Sequence, residues 1–204
     1  ASFVYLIILT FQLLLTVYYE SKCPDSKKFI LEQLVPATNL LKDHLMLHLV
    51  PFGKAHSKYN GYHSFQCQHG ATECLGNMVQ DCALRYMQGK PDFEKVSYVS
   101  CEMMTMASTA GDLKCVQNAN IPLDLINQCM NSNEGTELQL NSEHATKMIS
   151  PKFIPTITIN NQFNQQIQDH AQVNLVGTLC SLLKDTSLCA THYNHKALQY
   201  VLHS

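Results

Sequence analysis

The stretch Leu13-Leu14-Leu15-Thr16-Val17-Tyr18-Tyr19-Glu20-Ser21-Lys22-Cys23-Pro24-Asp25-Ser26 decides the fold of this chain. Its first seven residues are continuously apolar, β-branched or aromatic, the pattern of a strand buried on both faces of a sheet. The run stops at Glu20-Ser21-Lys22. Beyond Pro24, Phe29, Ile30, Gln33 and Leu34 recur at helical spacing; proline suits a first helical turn, and Pro36 is expected to end or kink the helix. Cys23 therefore stands at a strand-to-helix junction. There it would meet unsatisfied backbone N–H groups and the positive end of the helix dipole, which favour thiolate over thiol. Lys27 and Lys28 add to that field, and Asp25 opposes it.

Working outward, Leu45 to Val50 reads as a second strand closing at Pro51-Phe52-Gly53. From Phe65 to about Ile149 the sequence turns helical and cysteine-rich. Cys74, Met78 and Cys82 share a face at i, i+4 and i+8, and that helix should stop at Gly89-Lys90-Pro91. Strand periodicity returns from Phe153 to Ile159. Asn160-Asn161 tolerates a left-handed turn and would start a hairpin back through Gln162 to Ile167, with Val173 to Leu183 as a closing helix. A β-α-β half, a helical insertion and a β-β-α half make an α/β chain: a thioredoxin-like fold with an inserted disulfide-rich helical lobe. The expected division is 1–12 as a signal-like hydrophobic remnant, 13–64 as the N-terminal half, 65–149 as the helical cysteine-rich insertion, and 150–204 as the C-terminal half and tail. Phe3 to Leu15 has signal-peptide length, without a basic segment before it or a small-x-small site after it. A membrane span needs about 20 apolar residues, so no stable span is expected.

The 204 residues are 46% hydrophobic, enough for a sizeable core. The net charge is −2 and no basic stripe is interleaved with aromatics, which excludes a nucleic-acid binder. Nine cysteines point to an oxidising compartment or to metal binding, and the odd number leaves one thiol over. If that thiol is Cys23, the other eight could form four disulfides, with Cys180 and Cys189 a plausible pair. Ten histidines, with His44, His48, His56, His63 and His69 in the first third, allow acid sensing. Scattered surface histidines are the plainer account. Met103, Met104 and Met106 read as core filling.

The run Cys67-Gln68-His69-Gly70-Ala71-Thr72-Glu73-Cys74-Leu75-Gly76-Asn77-Met78-Val79-Gln80-Asp81-Cys82 packs three cysteines and a histidine into sixteen residues. It resembles the signature of the gamma-interferon-inducible lysosomal thiol reductase family, with Cys67, Gln68, His69, Gly70, Glu73, Cys74, Asn77 and Cys82 at its fixed positions. The resemblance extends to Tyr18-Tyr19-Glu20-Ser21 before Cys23, to Val50-Pro51-Phe52-Gly53-Lys54-Ala55 and to Phe153-Ile154-Pro155, and so covers roughly Leu13 to Cys189. It implies a thiol–disulfide oxidoreductase acting on protein disulfides through nucleophilic Cys23. Ser26 stands where mammalian members carry the second cysteine of Cys-x-x-Cys, so an external small thiol must resolve the mixed disulfide; no other cofactor is implied. Pro155 would be the cis-proline facing Cys23, with the backbone at Ile154 pairing with an extended substrate. Thr156 replaces the family's usual tryptophan at the same substrate-facing position. The resemblance places the protein in lysosomes or, since the chain has no Asn-x-Ser/Thr sequon, in the secreted fraction.

Two other readings stand beside this one. A secreted binding protein could keep the scaffold and lose turnover, as Ser26 would allow. Alternatively, Cys67, His69, Cys74 and Cys82 could form a zinc site, although no paired Cys-x-x-Cys knuckle is present and disulfides suit the setting better, so no metal is expected. His69 is then a hydrogen-bonded structural histidine or a proton donor in exchange, and Glu73 and Asn77 bond backbone. Without a resolving thiol, Cys23 could also link two copies into a dimer.

Overall fold

In the computed structural model, which describes residues 12–59, 63–183 and 189, the apolar run becomes strand β1 (Leu13–Tyr19). It is the central strand of a three-stranded sheet. β2 (Leu45–Pro51) pairs with it in parallel from Leu13↔Leu45 to Tyr19↔Pro51, and β5 (Thr156–Ile159) pairs antiparallel on its other side. Leu15, Val17 and Tyr19 are sealed from solvent, as a strand covered on both faces requires.

Two parallel neighbours need a crossover, and α1 (Pro24–Phe29), a π-helical turn (Ile30–Leu34) and α2 (Val35–Leu41) supply it. Pro36 therefore does not end the helix as its sequence position implies. The Val35 N–H bonds the Ile30 carbonyl five residues back. That widened turn rearranges the carbonyls a proline ring would otherwise strike, and helix resumes on its far side.

A hairpin that the sequence pattern does not reveal follows, β3 (His56–Tyr59) against β4 (His63–Gln66). The lobe comprises α3 (Ala71–Tyr86), α4 (Asp92–Thr105), α5 (Lys114–Asn118), α6 (Leu123–Met130) and α7 (Asn133–Ile149). Of the three methionines expected in the core, only Met103 is buried; Met104 is 58% exposed on the other side of α4. After β5, Asn160 and Asn161 adopt positive φ, but the expected return strand to Ile167 shrinks to one bridge, Ile159 with Gln162. Asn164 is the reason: its Oδ1 accepts the Ile167 N–H and caps α8 (Gln165–Leu183), so helix begins eight residues before Val173. Asn174, at φ −151° and ψ 74°, kinks α8 and recaps it by accepting the Gly177 N–H.

Four disulfides join Cys67 to Cys74, Cys82 to Cys129, Cys101 to Cys115 and Cys180 to Cys189, and Cys23 is the free thiol. The zinc alternative fails here, because three of its four ligands are spent in disulfides. Four disulfides fit an oxidising compartment outside the cytosol. Among the described residues, no helix is long and apolar enough to cross a membrane. The signal-like run up to Phe11 and the tail beyond Leu183, Cys189 excepted, lie outside the described residues.

The α3–α7 interface contains a buried acid with a measurable consequence. Asp81 Oδ2 accepts hydrogen bonds from Gln139 Nε2 at 2.5 Å and Ser142 Oγ at 2.8 Å, yet burial pushes its pKa to about 7. A carboxyl whose pKa rises on folding stabilises the fold in acid, and that stability drains away as pH climbs from the unfolded value near 4 to about 7. At ~1.4 kcal/mol per pH unit, the loss between pH 5 and 7 is on the order of 2 kcal/mol. Asp81→Asn cannot ionise, so its unfolding free energy in urea should fall less over that interval by about this amount; parallel wild-type and variant profiles would refute the assignment.

Candidate active site at the start of the first helix

Cys23 is the N-cap of α1, with φ −70° and ψ 122°. Its Sγ accepts the Ser26 N–H at 3.4 Å, and the thiol faces the Ile154 carbonyl at 3.8 Å, across 131 residues of chain. The Ile154–Pro155 peptide is cis. The sulfur thus lies between a helix start that donates a hydrogen bond and a proline loop that presents an acceptor, and the residue is only 7% exposed. Ser26 is fully buried behind it, its Oγ accepting the Glu20 N–H at 3.4 Å. Of the residues singled out in sequence, Cys23, Ser26, Ile154 and Pro155 converge. Thr156 does not face the sulfur's surroundings openly: it is buried as the first residue of β5, and its Oγ1 donates to the Phe153 carbonyl at 2.5 Å.

The proline loop is held from below by α8. Buried Gln168 accepts the Ile157 N–H at 2.8 Å and donates to the Pro155 carbonyl at 3.1 Å, and Gln172 donates to the same carbonyl. Sequence reasoning missed Gln168, since nothing in a run of glutamines marks one as buried. A cleft of about 530 Å³ opens beside the loop, lined among others by Asp25, Phe29, Phe153, Ile154 and Pro155.

The sixteen-residue signature lies against the segment that precedes Cys23. Asn77 Oδ1 accepts the Ser21 N–H at 2.9 Å, and Ser21 Oγ donates to the Glu73 carbonyl at 3.0 Å. Gly76 allows this approach, because a Cβ there would lie 2.6 Å from Ser21 Oγ. Gly70, at φ +88°, turns the chain into α3, and the Cys67–Cys74 disulfide closes that turn. Gln68 is exposed, whereas Cys82 anchors the far end of the signature to Cys129 in α6.

Three more groups converge here. His69 Nδ1 is 2.6 Å from Glu73 Oε2 and 3.4 Å from Glu20 Oε2, and Glu73 Oε1 also accepts the His69 N–H at 3.0 Å. Both carboxylates are buried and the imidazole is about one-third exposed. This cluster, not the cysteines, brings potential metal donors within 4.8 Å of one another. Glu20 belongs to it through its other oxygen as well, Oε1 accepting the Lys54 N–H at 2.7 Å. Gly53, at φ +58°, makes room for that side chain, since a Cβ there would lie 2.2 Å from Glu20 Cγ. The sequence marks Glu20 as the end of a strand and as part of the family resemblance, and neither reveals its burial.

Comparisons with known proteins agree with this architecture. The family described as gamma interferon inducible lysosomal thiol reductase (GILT) matches residues 14–119. GILT-like protein 1 of Drosophila melanogaster is 34% identical over 196 aligned residues, covering 87% of this chain and 78% of that protein. A gamma-interferon-inducible lysosomal thiol reductase-like protein of Anopheles gambiae is 36% identical over 181, covering 82% and 75%. Among solved structures, the oxidoreductase DsbA of Xylella fastidiosa superposes with a TM-score of 0.54 at 10% identity, over 83% of this chain and 85% of that one, which places the fold among thioredoxin-like proteins. With the signature and its disulfides in place and Cys23 facing the cis Ile154–Pro155 loop, and with these matches over most of its length, the protein belongs to the gamma-interferon-inducible lysosomal thiol reductase family.

Proposed function

We propose that the protein is a thiol–disulfide oxidoreductase that reduces or exchanges protein disulfides through Cys23 and depends on an external small thiol. The observation that carries this reading is the free Cys23 sulfur between the Ser26 N–H and the cis Ile154–Pro155 loop, in a chain whose other described cysteines are paired. In the first step the Cys23 thiolate attacks one sulfur of a substrate disulfide. A Cys23–substrate disulfide forms, the substrate S–S bond breaks, and the departing thiolate takes a proton. A small thiol such as glutathione or free cysteine then attacks the Cys23 sulfur and expels the second substrate thiol. A second equivalent regenerates Cys23 and leaves as the oxidised small-thiol dimer, so two thiols are oxidised for each substrate disulfide reduced.

Ser26 acts in this scheme by its backbone N–H, which stabilises the sulfur, while its hydroxyl cannot resolve the mixed disulfide. In this reading the Ile154 backbone pairs with an extended substrate segment and seats a disulfide against Cys23. The names of the relatives support a lysosomal setting, the four disulfides suit a secreted one equally, and disulfide-bearing proteins are the substrate class. The deep setting of Cys23 and the absence of a thiol at Ser26 favour a second reading, a secreted binder that captures a disulfide partner without turnover.

Mixing the protein with a disulfide-bonded substrate at pH 5, with and without a small thiol, separates the two. A mixed disulfide on the Cys23 peptide that accumulates alone and turns over when thiol is added is the expected result, with Cys23→Ala inert. An unreactive Cys23 would sink the enzymatic reading, and a covalent dimer on a non-reducing gel would show Cys23 pairing with a second copy instead.

A further inference from the structure

Glu20 and Glu73 are held alike. Each gives one oxygen to a backbone N–H, Glu20 Oε1 to Lys54 at 2.7 Å and Glu73 Oε1 to His69 at 3.0 Å, and each turns its other oxygen toward His69 Nδ1, at 3.4 and 2.6 Å. Both carboxyl side chains are sealed from solvent, while the imidazole keeps 32% of its surface. Glu20 Oε2 nonetheless has no hydrogen-bond partner. A proton placed on it would find no acceptor, because the atom it faces, His69 Nδ1, shares a hydrogen with Glu73 Oε2. Among the described residues no lysine or arginine pairs with either carboxylate, and Lys22 Nζ turns instead to the His69 carbonyl and Thr72 Oγ1. Buried carboxylates are normally paired or bound to a metal, so two of them sharing one imidazole leave a place for positive charge.

We propose that Glu20 Oε2, His69 Nδ1 and Glu73 Oε2 form a binding site for a divalent transition-metal ion such as Zn²⁺, with water in the remaining position. The donor set fits that class. An imidazole nitrogen beside two carboxylate oxygens suits zinc and its neighbours in the first transition row better than calcium or magnesium, which take oxygen alone. Cys67 and Cys74 offer no thiolate, being joined in a disulfide. The three donors lie within 4.8 Å of one another. Zinc ligands at about 2.0–2.2 Å in a tetrahedron stand about 3.3–3.6 Å apart, and the 3.4 Å between Glu20 and His69 already matches. The 2.6 Å hydrogen bond between His69 and Glu73 must open by about 0.7–1.0 Å as the ion displaces its hydrogen to solvent. His69 is the ligand able to move, because its side chain is part-exposed in the loop before α3, and that exposure gives ion and water a way in.

The two N–H groups that fix Oε1 of each glutamate orient the carboxylates from behind, as outer partners of metal ligands do. A bound ion would tie the end of β1 to the start of α3, three residues ahead of Cys23. The site goes beyond the thiol chemistry and does not depend on it.

The test is Zn²⁺ titration of the untagged full chain at pH 7 in competition with a chromophoric chelator, with X-ray absorption of the loaded protein. One tight equivalent is expected, in a shell of nitrogen and oxygen at about 2.0–2.2 Å without sulfur at about 2.3 Å. Losing a partner outside the ligand shell already costs about 10–100-fold in affinity, so Glu20→Gln and His69→Ala, which remove direct ligands, should each weaken the tight site about 100-fold or more. Cys23→Ala should bind as the wild type does. The proposal is overturned by the absence of a tight equivalent, by a sulfur shell, by Glu20→Gln and His69→Ala proteins that bind like the wild type, or by a loss of binding in Cys23→Ala. If Glu20→Gln fails to fold, His69→Ala decides alone, since it alters a part-exposed side chain. Metal affinity is read without turnover, so an inert Cys23 would remove the reductase reading and leave the metal site standing.

Discussion

Ser26→Cys is expected to make the proposed Cys23 mixed disulfide self-resolving. The substituted sulfur would occupy the buried site one helical turn after Cys23, where the Ser26 N–H already points at Cys23 Sγ from 3.4 Å. The mixed disulfide, which the proposed scheme leaves long-lived in the wild type without added thiol, should then collapse by intramolecular attack. Effective molarities of oriented intramolecular reactions lie far above the millimolar range of a small-thiol pool, so its decay should accelerate on the order of 10³-fold or more. The measurement is quenched mass spectrometry of the Cys23 peptide after one substrate addition without small thiol. The variant should release reduced substrate and end with Cys23 joined to residue 26. A mixed disulfide that persists as in the wild type would mean that Cys23 and residue 26 cannot approach, and that this helix start was never built for a pair. The new sulfur also displaces the hydroxyl that accepts the Glu20 N–H, so a small loss of stability should accompany the gain.

Removing the Cys82–Cys129 disulfide should have the largest effect on stability. It closes a 47-residue separation, against 7, 14 and 9 for the other three bonds. Loop-closure entropy makes such a cross-link worth about 4 kcal/mol, and the shorter ones about 2–3 kcal/mol. Both cysteines are fully buried, joining α3 to α6 inside the main core. A domain's whole stability is only about 5–15 kcal/mol, so the double alanine variant should lose a large share of it in urea titration. Losing Cys180–Cys189 should cost visibly less. Equal losses from the two bonds would show that local packing, not chain constraint, dominates.

What sequence made legible was local and periodic. The unbroken apolar run of β1 has the same limits in the structure, and the cysteine at its end does cap a helix, because both follow from neighbours within a turn. The Phe153-Ile154-Pro155 loop was readable only through the family resemblance. What escaped depends on partners far away in the chain. Glu20 reads as a polar strand end and is buried against residues about fifty positions later; Gln168 and Asn164 are unremarkable in a polar stretch until β5 is in place. Pro36 does not stop the helix because the rule for proline assumes an α-helical turn before it, and a π turn lies there instead. The β3–β4 hairpin escaped because its strands are four residues long and mostly exposed, leaving little alternation to detect.

Ser21 has a bearing on how the molecule matures. The two hydrogen bonds that shape the segment just ahead of Cys23 both come from α3, synthesised after it, and α3 is fastened by cross-links at each end. A nascent chain that has finished β1 and α1 therefore carries the sulfur without its mounting. The setting of Cys23 is completed only with correct oxidation of the lobe, so a misoxidised copy would lack an organised Cys23 segment along with its native shape.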